Sequence, residues 1–119
     1  MGLFGRWNGN YAEKFLRFEG HYHGWLDNMC FGISAPSAVA LGSREEPEVF
    51  PWTDGLPDRV KDEFIIAPWN DIELLKEIIA RHHQEIAAII TEPVMCNNGC
   101  IMPVEGFLQG IREICDQHG

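Results

Sequence analysis

Residues 86–94, IAAIITEPV, constrain the fold of this sequence more than any other stretch. Six of the nine residues are β-branched or alanine before the first charge, Glu92, and no turn residue appears until Pro93. No face of such a run is polar enough to lie against water. It reads as a central strand buried on both faces, the signature of a parallel sheet covered by other layers.

The remaining segments fit around that strand. KFLRFE, residues 14–19, sets Phe15 against Lys14 and Arg17, closes on Phe18 and is stopped by Gly20, which predicts a first strand. HYHGWLDNMCFG has no period and predicts a loop passing into irregular or short helical structure. Phe64, Ile65, Ile66 and Ala67 form a short apolar run ended by Pro68, a second buried strand. Asn70 with Glu73 three residues on predicts a capping box. The helix after it, over residues 70–84, puts Ile72, Leu75, Ile78, Ile79 and His82 on one face. Pro103 and Gly106 precede a second helix with Phe107, Ile111, Ile114 and Cys115 on its apolar face and Gly119 at its C-terminal cap. Strand, helix, strand, loop, helix is βαβ grammar and predicts an α/β fold, part of a three-layer α/β/α sandwich. The sequence stops where a further strand is expected, so residues 1–119 read as one partial domain of something larger. Residues 34–63 hold four prolines, and from position 43 on seven acids against three bases. They read as an acidic, loop-rich, solvated excursion.

With 119 residues the chain has room for one domain, and 45% hydrophobic with 23% charged residues is a globular balance. Nine basic against eighteen acidic residues leave a net charge of −9. That excludes nucleic acid as the main partner, since a phosphate-binding face needs clustered cations, and it disfavours anionic membranes. No apolar run is long enough to span a bilayer. The opening MGLFGRWNGN has neither the basic-then-apolar order of a secretory leader nor the Ser or Thr of a myristoylation signal. Cys30, Cys96, Cys100 and Cys115 therefore read as reduced thiols of a cytoplasmic protein.

Ligands of α/β sheets bind beyond the carboxyl ends of the strands. Two stretches occupy that position: Gly20-His21-Tyr22-His23-Gly24-Trp25 after the first strand, and Thr91 to Gly99 after the apolar one. In the first, Tyr22 could stack on a flat cofactor. His21 and His23 could ligate a metal but supply only half a site, and hydrogen bonding within the loop is the simpler account. In the second, Glu92 is either a functional group at a pocket mouth or an anchor taking backbone N–H bonds. Asn97, Asn98 and Gly99 suit a tight turn. Cys96 and Cys100, spaced C-x3-C without a second pair, do not make a zinc site. His82 and His83 suit the C-terminal end of a helix, and Cys115 suits the core.

In this order the two stretches resemble the class III pyridoxal-phosphate aminotransferases. RFEGHYHGW is similar to that family's "kFeG-YHG" segment and APWND to its "PyND" segment. Residues 87–119 are similar to its "aaviiEPv-gN-G-i-P--GFL--lRelcd--G". The pattern sits nearest the family's glutamate-1-semialdehyde 2,1-aminomutase-like members. The resemblance implies part of a fold-type I large domain, pyridoxal 5'-phosphate as cofactor, an amino acid or amino-aldehyde as substrate, and a homodimeric parent enzyme that transfers an amino group through Schiff-base chemistry. It also implies site roles. Tyr22 would stack on the pyridine ring, with His23 and Gly24 shaping that wall. Glu92 would lie by the cofactor, and Asn97 would approach the side of its phenolic oxygen. Asn97 departs from the Glu typical of ω-amino-acid transaminases and points to the aminomutase-like branch, and Cys96 stands where the family has Gly.

The chemistry also needs a buried lysine, an acid for the pyridine nitrogen and a phosphate cradle. Lys14, Lys61 and Lys76 are the only lysines, and none is in a setting that lowers an amine pKa. The implied Asp and Lys would follow Gly119, and the phosphate segment would precede Met1. The expectation is a piece of an aminotransferase or aminomutase that is inactive alone. The alternatives are a non-catalytic α/β binding module and a His/Cys metal-binding protein.

Overall fold

Parallel pairing of three short strands organises the chain. The computed structural model describes residues 12–119. The opening segment, expected to carry neither leader nor lipidation signal, lies outside the described residues. The strands are β1 (Lys14–Phe18), β2 (Phe64–Ala67) and β3 (Ile86–Ile89), and the helices are α1 (Ile72–His82) and α2 (Phe107–His118). Two 3-10 turns, Asp27–Met29 and Asp58–Glu63, lie in the connection between β1 and β2.

The sheet order is β2-β1-β3 with every pairing parallel. The apolar β3 pairs with β1 on one side, and among the described residues no strand borders its other edge, where the sequence leads one to expect a further strand. Only Ile86 in it is buried, while Ala87 to Ile89 are half-exposed. The centre belongs to β1, which carries a charge. Leu16 and Phe18 of β1 face one way and Arg17 the other, all three buried. Arg17 is satisfied in part by Nη2, which donates to the Met29 carbonyl at 3.1 Å, and its guanidinium lies 4.8 Å from the Phe64 ring centre. Burial lowers its pKa to about 10, so it stays charged at neutral pH.

Both helices cover the Leu16 and Phe18 face. Leu74, Leu75, Ile78 and Ile79 of α1 and Phe107, Ile111 and Ile114 of α2 join those two residues and Ala67 in the main core. The predicted apolar faces are therefore correct in outline, with Leu74 added and Cys115 at the margin. The helices approach closely at Gly110, where a Cβ would meet Ile72 Cδ1 at 2.7 Å. The opposite face is covered by the excursion between β1 and β2. Its charges are exposed, but Phe31 and Val60 pack on Phe64 and Ile66, with Val49 and Leu56 beside them. The acidic segment is thus a cover for the sheet as well as a solvated surface.

The cap of α1 is corrected by one residue. Asp71, not Asn70, is the N-cap, its Oδ1 accepting from the Leu74 N–H at 3.0 Å. Asn70 is free for a different task. At φ 65° it turns the chain, its amide donates to the Met102 carbonyl at 2.9 Å, and its Oδ1 accepts from Val104 N–H at 2.9 Å. That side chain straps the approach to α2 against the end of β2. At the other end of the sheet Glu85 accepts from Lys14 at 2.6 Å and meets His82 Nδ1 at 3.0 Å, tying the end of α1 to the start of β1.

Leu75 is fully buried and Val39 is 90% exposed. We expect Leu75→Ala to cost about 2–5 kcal/mol in denaturant unfolding and Val39→Ala to change stability by less than about 0.5 kcal/mol. Equal effects would contradict the assigned core.

Candidate functional site

Two loops leave the carboxyl ends of β1 and β3 side by side, and a carboxylate, an imidazole and an amide side chain join them. After Phe18 the chain turns at Gly20, whose φ of 84° suits glycine. A Cβ there would overlap Asn98 Nδ2. The close approach is used: Asn98 Nδ2 donates to the Gly20 carbonyl at 3.1 Å. Next in line, Glu92 Oε1 accepts from the Tyr22 N–H at 2.6 Å and Oε2 from the Cys96 N–H at 3.0 Å. The Glu92 N–H in turn donates to His21 Nδ1 at 3.0 Å. Three groups of residues 20–22, the Gly20 carbonyl, the His21 ring and the Tyr22 amide, thus lock onto residues 92–98 across 70 or more positions of sequence.

Glu92 is therefore an anchor, one of the two roles its sequence position allowed. Burial alone would push its pKa up, but the Cys96 and Tyr22 amides, with the nearby imidazoles, outweigh that and hold it below the ordinary carboxylate value. His21 is fully buried, at 0% exposure. Accepting at Nδ1 requires the neutral ring with its proton on Nε2. Burial lowers its pKa to about 4, opposed by Glu92 and reinforced by Arg17. His23 is lowered to about 4 by the same burial and by Arg17 and His21. Glu19 moves the other way, to about 7, because burial outweighs its attraction to Arg17. His21 Nε2, His23 Nε2, Glu19 Oε2 and two Arg17 nitrogens are buried without a hydrogen-bond partner.

Of the residues singled out from sequence, Tyr22, His23, Gly24 and Glu92 are brought to one place. Tyr22 is 37% exposed, with the exposed Trp52 ring edge-on at 5.9 Å. Beside it, nothing lies within 4 Å of where a Cβ on Gly24 would stand. Asn97 is exposed on the 96–99 turn, closed by the antiparallel bridge between Met95 and Ile101. Its neighbour Asn98 makes the structural bond, a role no sequence signal separates from that of Asn97. His21 and His23 have rings 6.0 Å apart. Among the described residues no group of three or more His, Cys, Asp or Glu could hold a metal. Lys14 and Lys76 are ion-paired with Glu85 and Glu73, and Lys61 is exposed in the 3-10 turn before β2. No helix of the described residues is long and apolar enough to cross a membrane.

The sequence profile described as Aminotransferase class-III matches residues 6–119. The chain belongs to the class-III aminotransferases. Among curated relatives, glutamate-1-semialdehyde 2,1-aminomutases from Desulfovibrio desulfuricans and Cytophaga hutchinsonii are each 44% identical over 106 residues, or 89% and 88% of this chain. The chain spans 23% of the length of those relatives. Among solved structures, an omega-transaminase from Sphaerobacter thermophilus superposes with a TM-score of 0.79 at 30% identity, covering 91% of this chain and 24% of that one. A glutamate-1-semialdehyde-aminomutase variant from Pseudomonas aeruginosa in complex with PMP superposes at 0.67 and 28% identity, covering 90% and 21%. The small parallel sheet with its helices is accordingly a part of the aminotransferase large-domain fold, fold-type I.

The residues of this class-III chain fit one side of a pyridoxal-phosphate site: an aromatic face at Tyr22, open space at Gly24 and buried imidazole nitrogens seeking partners. They do not supply its reactive amine, since all three lysines lie away from these loops, two in ion pairs and one on the exposed turn.

The titrations oppose one another. Unfolded, His21 and His23 take up protons below 6.5, but folded only below about 4, so acidification across that window destabilises. Folded Glu19 keeps its proton up to about 7, against 4.5 unfolded, so its contribution is lost as pH rises across that range. Two imidazoles outweigh one carboxyl. We expect stability to rise with pH from 4.5 to 6.5 and to level off near 7. Glu19→Gln should steepen that rise. A profile unchanged in Glu19→Gln would contradict these protonation states.

Proposed function

We propose that this chain forms one wall of a pyridoxal-phosphate pocket in an aminotransferase or aminomutase that moves an amino group on an amino acid or amino-aldehyde. The observation that carries this reading is the Glu92 clamp, which fixes the Tyr22 loop and the 92–99 turn together at the carboxyl ends of parallel strands. Membership of the family and the aminomutase names of its 44%-identical relatives support it.

Each residue has a defined task on this reading. The Tyr22 ring offers the flat, half-exposed face on which the pyridine ring stacks. His23 and Gly24 shape the same wall, and the absent Cβ at Gly24 leaves room for close approach. Glu92 lies beside the cofactor but acts through the backbone, holding the Tyr22 and Cys96 amides with its charge already spent on them. Asn97, on the exposed turn, faces the phenolic-oxygen side. Buried His21 stays neutral and is a positioning residue. The cofactor, when bound, supplies the electron sink for moving the amino group. The amine that engages it is none of Lys14, Lys61 and Lys76, which lie away from these loops.

Two outcomes test this. With pyridoxal phosphate and borohydride, the 119-residue chain should give no adduct concentrated on Lys14, Lys61 or Lys76 and no amino transfer. A single-lysine adduct with turnover would overturn the claim that the amine lies elsewhere. Non-covalent binding of pyridoxamine phosphate, read by ring-current shifts in NMR, should weaken up to about tenfold in Tyr22→Ala, the worth of one aromatic stack. Unchanged binding would contradict the stacking role.

A further inference from the structure

The hairpin that carries Asn97 holds a pair of cysteines that the site itself does not use. Met95 and Ile101 form its neck, exchanging both amide bonds, Met95 N–H to the Ile101 carbonyl at 3.1 Å and Ile101 N–H to the Met95 carbonyl at 3.0 Å. The next residues inward on the two arms are Cys96 and Cys100. Residues facing each other across an antiparallel pair project to the same side, with Cβ atoms about 4.5–5.5 Å apart. The turn draws these two closer. Cys100 N–H donates to the Cys96 carbonyl at 3.4 Å, and the Cys100 thiol donates to the same carbonyl at 3.9 Å. Cys100 has a φ of 56°, left-handed backbone at a non-glycine residue, which turns the second arm back over the first. A disulfide needs Cα atoms about 4.4–6.8 Å apart and Cβ atoms about 3.5–4.5 Å apart, a small adjustment from such a pairing. Both thiols are exposed, whereas Cys30 is buried and Cys115 half-buried on α2.

We propose that Cys96 and Cys100 are a reversible dithiol–disulfide site that takes small disulfides of the glutathione type as its oxidant. One cysteine thiolate attacks a sulfur of glutathione disulfide, breaking its S–S bond and releasing one glutathione thiolate. The second cysteine thiolate then attacks the protein sulfur of that mixed disulfide, forming the Cys96–Cys100 bond and releasing the second glutathione. Two electrons pass from the protein to glutathione, and the two protons lost by the cysteines end on the two released thiols. Desolvation, Cys100 and Glu92 raise the Cys96 thiol pKa, so the exchange is favoured at mildly alkaline pH. The consequence is local. The Cys96 N–H is one of the two donors on Glu92, so closing the bond across the neck stiffens the turn that holds the clamp. This inference stands on the hairpin geometry alone and does not depend on cofactor binding.

The test equilibrates the intact chain with defined ratios of glutathione disulfide to glutathione, quenches with acid, alkylates free thiols and maps peptides by mass. We expect a 96–100 linked peptide lacking two hydrogens, with Cys30 and Cys115 alkylated. The equilibrium constant should be about tenfold higher folded than in denaturing urea, because the fold holds the thiols near bonding distance. Cys100→Ser should instead trap glutathione on Cys96. Alkylation of both cysteines at every ratio, a stable glutathione adduct on the wild-type chain, or the same constant in urea would each overturn the proposal.

Discussion

One carboxylate placed where two strands end governs this structure. Glu92 gives one oxygen to each of two loops that are 70 residues apart, and its own amide reaches the buried His21 ring. Strand pairing alone would bring the loop stems near one another, but the clamp sets their register and leaves the Tyr22 ring facing outward. A charge-assisted bond to a backbone amide is about twice as strong as a neutral one, and this carboxylate makes two. The neutral state of His21 follows from the same bond, since a protonated Nδ1 could not accept.

The fold separates scaffold from site. Below the strand tips, two helices and a folded-back acidic excursion sandwich the sheet, and braces such as Asn70 and Glu85 hold the elements at their ends. Above the tips, the aromatic and glycine positions are open. The polar seam along Arg17, Glu19, His21 and His23 belongs to neither part. It is buried but short of partners, and its protonation is balanced by opposed shifts. The chain belongs to the class-III aminotransferases and covers 23% of the length of its aminomutase-named relatives.

Much of the fold was legible because its helices are strongly periodic and its strands are bounded by Gly and Pro. The setting of Arg17 was not: the guanidinium is buried in the middle strand and accommodated by Met29 and Phe64, which no local pattern reveals. The N-cap was misplaced by one residue because Asn70 and Asp71 are both good caps, and only the strap to Met102 and Val104 decides between them. At the site, the resemblance named Tyr22 and Glu92, which the structure joins by a hydrogen bond. It did not show that Glu92 is consumed by backbone amides, nor that Asn98 rather than Asn97 pins Gly20, because both depend on how the turn closes.

The most direct measurement of the central claim is an NMR titration that follows the Tyr22 and Cys96 amide protons with pH. If one carboxylate holds both, the two resonances should lie downfield and move together through a single titration below the ordinary Glu value of 4.5. Two independent titrations, or amides insensitive to pH in that range, would show that Glu92 does not join the loops.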